Sequence, residues 1–443
     1  MIFWENPRKT SCPSGNDSVR SNGHFMRYHK ENEQKEAFNM TITIHRGTHQ
    51  IGGCATEFRT ERTRIFVDFG AELPGLDGTQ PEETLSIAGL SEAPADCDGV
   101  FFTHSHGDHI GNIGRILPGV PLYMGEAAKE ITLLLDRRLQ KAHEFKPAVF
   151  SDRSAEISTL ERAESIADRV PVSIGDFTVT PYRVDHSAFD AYMFLVEAEG
   201  IRILHTGDFR DHGYTGGQVK RILQDIGQVD WLICEGTMLS RDGETVMTEQ
   251  GLEAKARNMI EAHKNVFVLC SSTNIDRIRA LYQAKPDNCP GVCDGYQKDV
   301  LDMTEKYAPT GFDYTFQYVI PDREWNYKLH NWMRNQGFVM FVRANDRFKE
   351  IMEPYKNDSI VIYSMWDGYL QNPRIADFLQ GHNVVKLHTS GHAAQKTLKE
   401  VCETVRPRRG VIPIHSEAPE KMSELLPGET VVYLQDKQEL TLN

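Results

Sequence analysis

The stretch His104-Ser105-His106-Gly107-Asp108-His109 puts four metal-ligand side chains within six residues, directly behind the apolar run Val100-Phe101-Phe102. Neutral imidazole is the commonest protein ligand for zinc, and carboxylates complete such sites. One His-x-His is ordinary on a solvated surface. His-x-His-x-Asp-His at the end of a buried-type strand is not, because a rigid strand end fixes the donors and so serves to hold a ligand.

The same arrangement recurs along the chain. Ile65-Phe66-Val67 ends in Asp68, and Ile201-Arg202-Ile203-Leu204 runs into His205-Thr206-Gly207-Asp208. Trp231-Leu232-Ile233-Cys234 ends in Glu235, and Val411-Ile412-Pro413-Ile414 ends in His415. Each run has the length and composition of a buried strand. Any such strand must end in something polar, so one instance carries little weight. Five unconnected strands that finish in Asp, Glu or His point to one site beyond the strand ends of a sheet-based α/β protein. His186, in Val184-Asp185-His186-Ser187, is a further candidate.

A chain of 443 residues exceeds one ordinary core, so at least two domains are expected. Residues 1–39 are polar and aperiodic and read as a flexible N-terminal extension. Residues 40–237 and 386–443 read as two parts of one α/β core. Residues 238–385 change pattern: the runs Val266-Leu269, Phe338-Val342 and Ile360-Tyr363 alternate with helical segments. One of these, Asn274 to Lys285, has Ile275, Ile278, Leu281 and Tyr282 on one face, as a second α/β module requires. No apolar run approaches a membrane span and no signal region opens the chain, so a cytoplasmic protein without a membrane partner is expected. The eight scattered cysteines read as reduced thiols.

A net charge of −14 counts against loose, sequence-blind binding of nucleic acid. It leaves room for a local basic groove or a metal-centred site. Arg406, Arg408 and Arg409 form one basic cluster before the His415 strand, and a solvated loop explains them equally well. Two segments lead into helix starts, Ser271-Ser272-Thr273-Asn274 and His388-Thr389-Ser390-Gly391-His392. Free N–H groups and the positive dipole end there suit phosphate, although ordinary capping accounts for Ser272 or Asn274 about as well.

The ordered set Asp68, His104-x-His106-x-Asp108-His109, His186, Asp208 and His415 resembles the metallo-β-lactamase-fold hydrolases and, within them, the β-CASP nucleases. Glu235 and Ser390-Gly391-His392-Ala393 match two further β-CASP motifs, and the late histidine resembles the ribonuclease J group. The resemblance implies an αββα metallo-β-lactamase sandwich with an inserted α/β β-CASP domain. It implies one zinc on His104, His106 and His186, a second on Asp108, His109 and His415, and Asp208 bridging both. Manganese would also suit the carboxylates. Asp68 would orient the ligands and the attacking water. With Asp108, Glu235 and His392 it makes the implied catalytic set. His205 reads as a structural hydrogen bond, and His45 and His49 have no part in the scheme.

The implied reaction is in-line hydrolysis of single-stranded RNA phosphodiesters by a hydroxide activated between two metals. The implied mode is 5′→3′ exonuclease action with endonuclease activity. His388, Ser390, Gly391, Ser272 and Asn274 would hold the terminal phosphate. Some segments depart from the group. Glu235-Gly236-Thr237 stands where Asp-Ser-Thr is usual. Ser364-Met365-Trp366-Asp367-Gly368 lacks the Pro- and Gly-containing pattern, and residues 286–335 match poorly. The chain ends about 28 residues after His415, so a C-terminal assembly domain does not support a homo-oligomer. The rival readings are a small-molecule ester, thioester or lactone hydrolase on the same fold, and a non-catalytic RNA-binding scaffold.

Overall fold

Strands covered on both faces read as unbroken apolar runs, and the runs that precede the polar motifs are of this kind. The computed structural model describes residues 40–81, 84–241, 246–316, 319–321 and 327–442. The extension expected at 1–39 lies outside the described residues.

The first sheet uses β1 (Thr41–Arg46), β2 (Ala55–Arg59), β3 (Arg64–Val67), β4 (Gly99–Phe101), β5 (Leu122–Gly125) and β6 (Glu164–Ile166). The second uses β7 (Val172–Ile174), β8 (Phe177–Val184), β9 (Ala191–Ala198), β10 (Ile201–His205) and β11 (Trp231–Glu235). A third sheet follows, with β12 (Asn265–Leu269), β13 (Gly291–Cys293), β14 (Val319–Pro321), β15 (Phe338–Val342), β16 (Ile360–Tyr363) and β17 (Val384–Lys386). The chain then returns: β18 (Gly410–Ile414) joins the second sheet beside β11, and β19 (Glu439–Thr441) joins the first beside β1.

Alternation along the strands sets the layers. Phe101 packs between the first two sheets with Phe58, Val67, Phe194, Ile203 and Ile412. Its neighbours Val100 and Phe102 face the other way, onto Ala128 and Leu133 of the helix Glu126–Phe145 and Leu160 of the helix Ser154–Arg162. Leu204, Leu232 and Val411 on the far side of the second sheet meet Ile222 and Leu223 of the helix Val219–Ile226 and Leu398 and Val401 of the helix Gln395–Val405. The result is an αββα sandwich. Each fully buried side chain of this size contributes about 1.5–3 kcal/mol of transfer free energy. The third sheet is parallel, in the order β14-β13-β15-β12-β16-β17, with Val266 and Val268 on one covered face and Phe267 and Leu269 on the other.

Topology explains why the polar motifs meet. β3 and β4 are parallel neighbours, as are β10, β11 and β18. β8 is antiparallel to β9, and β9 to β10, so β8 and β10 point the same way. The residues that follow β8, β10, β11 and β18 therefore emerge at one edge. The third sheet is inserted between β11 and β18, so the chain leaves and re-enters the sandwich at that edge.

A buried charge network joins the insertion to the sandwich. Arg210 and Arg277 are both fully buried. Arg210 donates to Asp185 Oδ1 at 2.6 Å, Glu249 Oε1 at 2.9 Å and Asp276 Oδ2 at 3.2 Å. Arg277 donates to both oxygens of Glu249 at 3.0 Å, and to Ser364 Oγ at 2.7 Å and the Thr389 carbonyl at 2.9 Å. Burial alone would raise Glu249, but Arg277 and Arg210 hold its carboxyl at about 2.

Removing one partner of such a pair leaves an uncompensated buried charge, so Glu249→Gln should cost about 3–5 kcal/mol in denaturant unfolding at neutral pH. The Glu249 carboxyl is depressed, so its contribution is complete above the usual 4.5 and is lost as pH falls towards about 2. Unfolding free energies measured across that window should fall less steeply for the variant than for the parent.

Candidate metal centre

Asp68 and His415 both stand where a strand stops, and both have left-handed backbone, φ 64° and 52°. That conformation costs a non-glycine residue about 1–2 kcal/mol, so the surroundings must hold it. Asp68 N–H donates to the Phe101 carbonyl at 2.9 Å, and His415 N–H to the Gly47 carbonyl at 2.7 Å. The turn carrying the histidine cluster is pressed against Gly70, where a Cβ would lie 1.7 Å from the Asp108 carbonyl oxygen, so only glycine fits.

The fully buried Asp68 carboxylate accepts from Thr103 N–H and Thr103 Oγ1, each at 2.8 Å, and from His109 Nδ1 at 2.7 Å. His109 therefore turns Nε2 inward. Thr103 Oγ1, already donating to Asp68, accepts from His104 Nδ1 at 3.0 Å, so His104 also presents Nε2. His186 donates Nδ1–H to the Gly391 carbonyl at 2.7 Å, and its Nε2 faces His106 Nδ1 at 3.2 Å. Gly391 is required there, since a Cβ would meet Ser187 Oγ at 2.4 Å. His415 Nδ1 pairs with Thr237 Oγ1 at 2.8 Å, and its Nε2 lies 3.3 Å from Asp108 Oδ2.

Asp208 lies at the middle. Its carboxylate is 3.1 Å from His109 Nε2, 3.5 Å from His415 Nδ1, 3.8 Å from His104 Nε2 and His392 Nδ1, and 4.0 Å from His186 Nε2. Ligand atoms of His104, His106 and His186 lie within 4.8 Å of one another, as do those of His104, His109 and Asp208. Asp108 Oδ2 is 4.0 Å from His109 Nε2. Beside the set, buried Glu235 holds His392 Nδ1 at 3.2 Å and accepts from Thr237 N–H at 3.2 Å.

This donor set fits a cation. His104 Nε2 and His109 Nε2 are buried without a hydrogen-bond partner, a condition that costs about 1–3 kcal/mol per group unless something else satisfies it. Burial and the neighbouring imidazoles push His104 and His186 well below their ordinary value. Burial holds His106 at about 4 against the pull of Asp108 and Asp208. These rings are thus neutral and have lone pairs to offer. Burial also opposes charge on His109, but Asp208, Cys54, Asp68 and Asp108 outweigh it and raise that ring well above its usual value. The carboxylates require positive charge, and without a cation a proton on His109 supplies it.

Other residues singled out in the sequence take different positions. Asn274 caps the helix Ile275–Gln283, its side chain accepting from Arg277 N–H. Ser272 Oγ sits 3.5 Å from Arg343 Nη1. His388 Nδ1 lies 3.1 Å from Arg277 Nη1, and burial and that charge hold the ring at about 3. Ser390 Oγ accepts from His392 N–H at 3.0 Å. His205 accepts from Gly207 N–H through Nδ1 at 3.1 Å, and its Nε2 lies 3.3 Å from Thr56 Oγ1. Arg408 and Arg409 face Asp230, which precedes β11, and so lie at the opposite end of the strand from Glu235. Sequence reasoning did not single out Thr103, Thr237 or Cys54. The Cys54 thiol is buried, with its sulfur within 4.8 Å of ring nitrogens of His109 and His415.

Residues 63–268 match the beta-lactamase superfamily domain, and residues 381–425 match the Zn-dependent metallo-hydrolase RNA specificity domain. With the fold and the donor set, these matches liken the chain to the metallo-β-lactamase superfamily and to its β-CASP branch. Within that branch the chain is ribonuclease J-like. It is 25% identical over 400 residues to ribonuclease J of Mycoplasma pneumoniae, covering 84% of this chain and 67% of that one. It is 24% identical to ribonuclease J of Sinorhizobium meliloti, covering 79% and 62%, and 23% identical to that of Helicobacter pylori, covering 89% and 58%. The chain thus spans from 58% to 67% of the length of these relatives. A crystal structure of a protein of unknown function from Enterococcus faecalis V583 superposes with a TM-score of 0.69 at 20% identity, covering 91% of this chain and all of that one.

Loading the apoprotein with zinc at neutral pH should release protons, because metal and the His109 proton compete. Titration calorimetry in buffers of different ionisation enthalpy measures that release. Asp68→Ala frees the His109 ring and should weaken metal binding about 10- to 100-fold in competition with a chromophoric chelator.

Proposed function

We propose that this chain is a metal-dependent ribonuclease that hydrolyses phosphodiester bonds of single-stranded RNA. One observation carries the reading. The segment matched to the RNA specificity domain contributes Gly391, His392 and His415 to the donor set around Asp208. A pocket that only had to accommodate a small ester would gain nothing from a large inserted module at its mouth.

In this reading His104, His106 and His186 would hold one cation, Asp108, His109 and His415 would hold a second, and Asp208 would serve both. Zinc suits the imidazoles, and manganese the carboxylates. When bound, such a pair supplies water activation near neutral pH and offsets charge growing on the phosphoryl oxygens. The protein's own groups do the rest. Asp68, the Gly391 carbonyl and Thr237 each take a ring N–H, which leaves the opposite nitrogens of His109, His186 and His415 directed inward. His392 stands at the rim, its side chain 18% exposed, and Glu235 holds its Nδ1. Burial disfavours a charged ring there, but Glu235 and Asp208 prevail and raise His392 above its usual value. A ring that holds its proton more tightly than usual can, when protonated, deliver it from Nε2 to the departing sugar oxygen.

His106→Ala should abolish cleavage of labelled RNA while leaving gel-shift binding in place. Full cleavage by this variant would refute the metal-ligand assignment, and turnover of nitrophenyl esters and thioesters with none of RNA would favour the small-molecule reading. One RNA carrying a 5′-monophosphate, triphosphate or hydroxyl separates the modes: mononucleotides from the monophosphate form alone mark a 5′→3′ exonuclease. Activity that needs protonated His392 is lost as pH rises through its elevated pKa. Glu235→Gln weakens the hold on that proton, so the alkaline limb of its pH–rate profile should move to lower pH than the parent's.

A further inference from the structure

Arg210, Arg277 and Arg343 each meet a carboxylate. Arg241 does not. It follows the short helical turn Thr237–Ser240 beyond β11, and no carboxylate among the described residues lies within ion-pair distance of it. Its guanidinium instead lies over the ring of Trp366, 4.8 Å from the centroid. That ring is itself fixed. A Cβ on Gly368 would lie 2.2 Å from it, so bare backbone packs against it, and Tyr369 meets it edge-on at 5.6 Å.

The charge so held lies beside the metal centre. Arg241 Nη1 touches Met238 Sδ at 3.8 Å, and the same sulfur lies 3.3 Å from Ser390 Oγ, the acceptor for His392 N–H. Arg241 is thus two contacts from the His392 turn. The Tyr369 phenol senses both sides: burial of its hydroxyl end and the Asp108 carboxylate raise it, and Arg241 draws it down. Trp366 also stands at a structurally distinctive place. β12 and β16 are parallel neighbours, yet the chain runs from β12 to β13 on one side and from β16 to β17 on the other. Open α/β sheets take ligands in the crevice outside strand ends where connections diverge in this way.

We propose that Arg241, stacked on Trp366, is a phosphate-binding residue that holds an RNA backbone phosphate next to the scissile one. This deepens the ribonuclease reading and rests on it. A guanidinium presents a planar fork of donors that matches two phosphate oxygens. Stacking fixes that plane before substrate arrives and leaves the donor edge free. A cation that meets no carboxylate among the described residues, beside the centre of a chain of net charge −14, has an obvious use when the ligand is a polyanion.

The test uses the full chain carrying His106→Ala, so that a short fluorescein-labelled single-stranded RNA stays intact, with anisotropy binding measured across a salt series. Adding Arg241→Gln should lower the slope of log affinity against log salt by about 0.7, the share of one phosphate on a single strand. It should also weaken binding about tenfold. Arg241→Lys should keep the slope and recover part of the affinity, which a folding defect would not allow. Trp366→Leu should lose about threefold. Exposed Arg169, paired with Asp168 and Asp225, serves as the control, and its Gln variant should bind like the parent. Parental slope and affinity in Arg241→Gln would overturn the inference and leave the ribonuclease reading intact. No RNA binding in the His106→Ala background, together with nitrophenyl ester turnover by the chain with His106 intact, would end that reading, and this inference with it.

Discussion

A buried carboxylate ringed by five imidazoles cannot be held without positive charge, and Asp208 is in that position. Burial penalises its ionised form, yet the surrounding His415, His109 and His392 keep it well below its ordinary range. Those same rings divide by role. His104, His106 and His186 are driven neutral, whereas His109 and His392 are driven towards the charged form. Burial is the main cause in the first group, with neighbouring imidazoles adding to it at His104 and His186, whereas at His109 and His392 nearby carboxylates outweigh burial. A site that needs positive charge, has neutral donors pointing inward and leaves two ring nitrogens unpaired has the electrostatics of a metal-binding site rather than of a hydrogen-bonded core.

The insertion is tied to this centre through one guanidinium. Arg210 follows Asp208 by two residues, and its partner Asp185 precedes His186 by one, so a single side chain anchors two turns of the donor set. The same guanidinium reaches Glu249 and Asp276 in the insertion and the Ser390 carbonyl beside His392. Three carboxylates share two arginines here, and the excess falls on Asp185. Burial pushes it up to about 6, with the like charge of Asp276 helping against the pull of Arg210. Buried ion pairs of this kind add little net stability over apolar packing, since desolvation offsets most of the attraction. What they fix is geometry: the third sheet is held against the sandwich at the edge where the donors emerge.

Much of this was legible in the sequence because covered strands are apolar throughout and stop abruptly. Asp68, His104, Asp208, Glu235 and His415 each sit at or just beyond such a stop, and the runs at 266–269, 338–342 and 360–363 appear as β12, β15 and β16. The three-residue strands β13, β14 and β17 left no such mark, being too short to show a period. Thr103 and Thr237 were invisible for another reason. A threonine after a strand is unremarkable until its partner is known, and the partner of Thr237 is 178 residues away. The arginines at 406–409 left two readings open in the sequence, a basic groove or a solvated loop. They are adjacent to the His415 strand in sequence, but they enter at its start, whereas the donors gather at its end.

An acidic chain that acts on a polyanion has to separate attraction from repulsion in space. The buried arginines do not help, because Arg210 and Arg277 are saturated by carboxylates and present no net field to solvent. The exposed Arg408 faces Asp230 at the wrong end of the strand. In the proposed reading the centre itself supplies attraction: any cations it holds, His392 when protonated, and Arg241, which meets no carboxylate among the described residues. On that reading affinity depends on a handful of phosphates at the centre, and salt dependence should be correspondingly shallow. The remaining acidic surface then repels any strand not engaged at those few points. In such a molecule negative charge does not argue against a nucleic-acid substrate; it makes binding conditional on the site being filled.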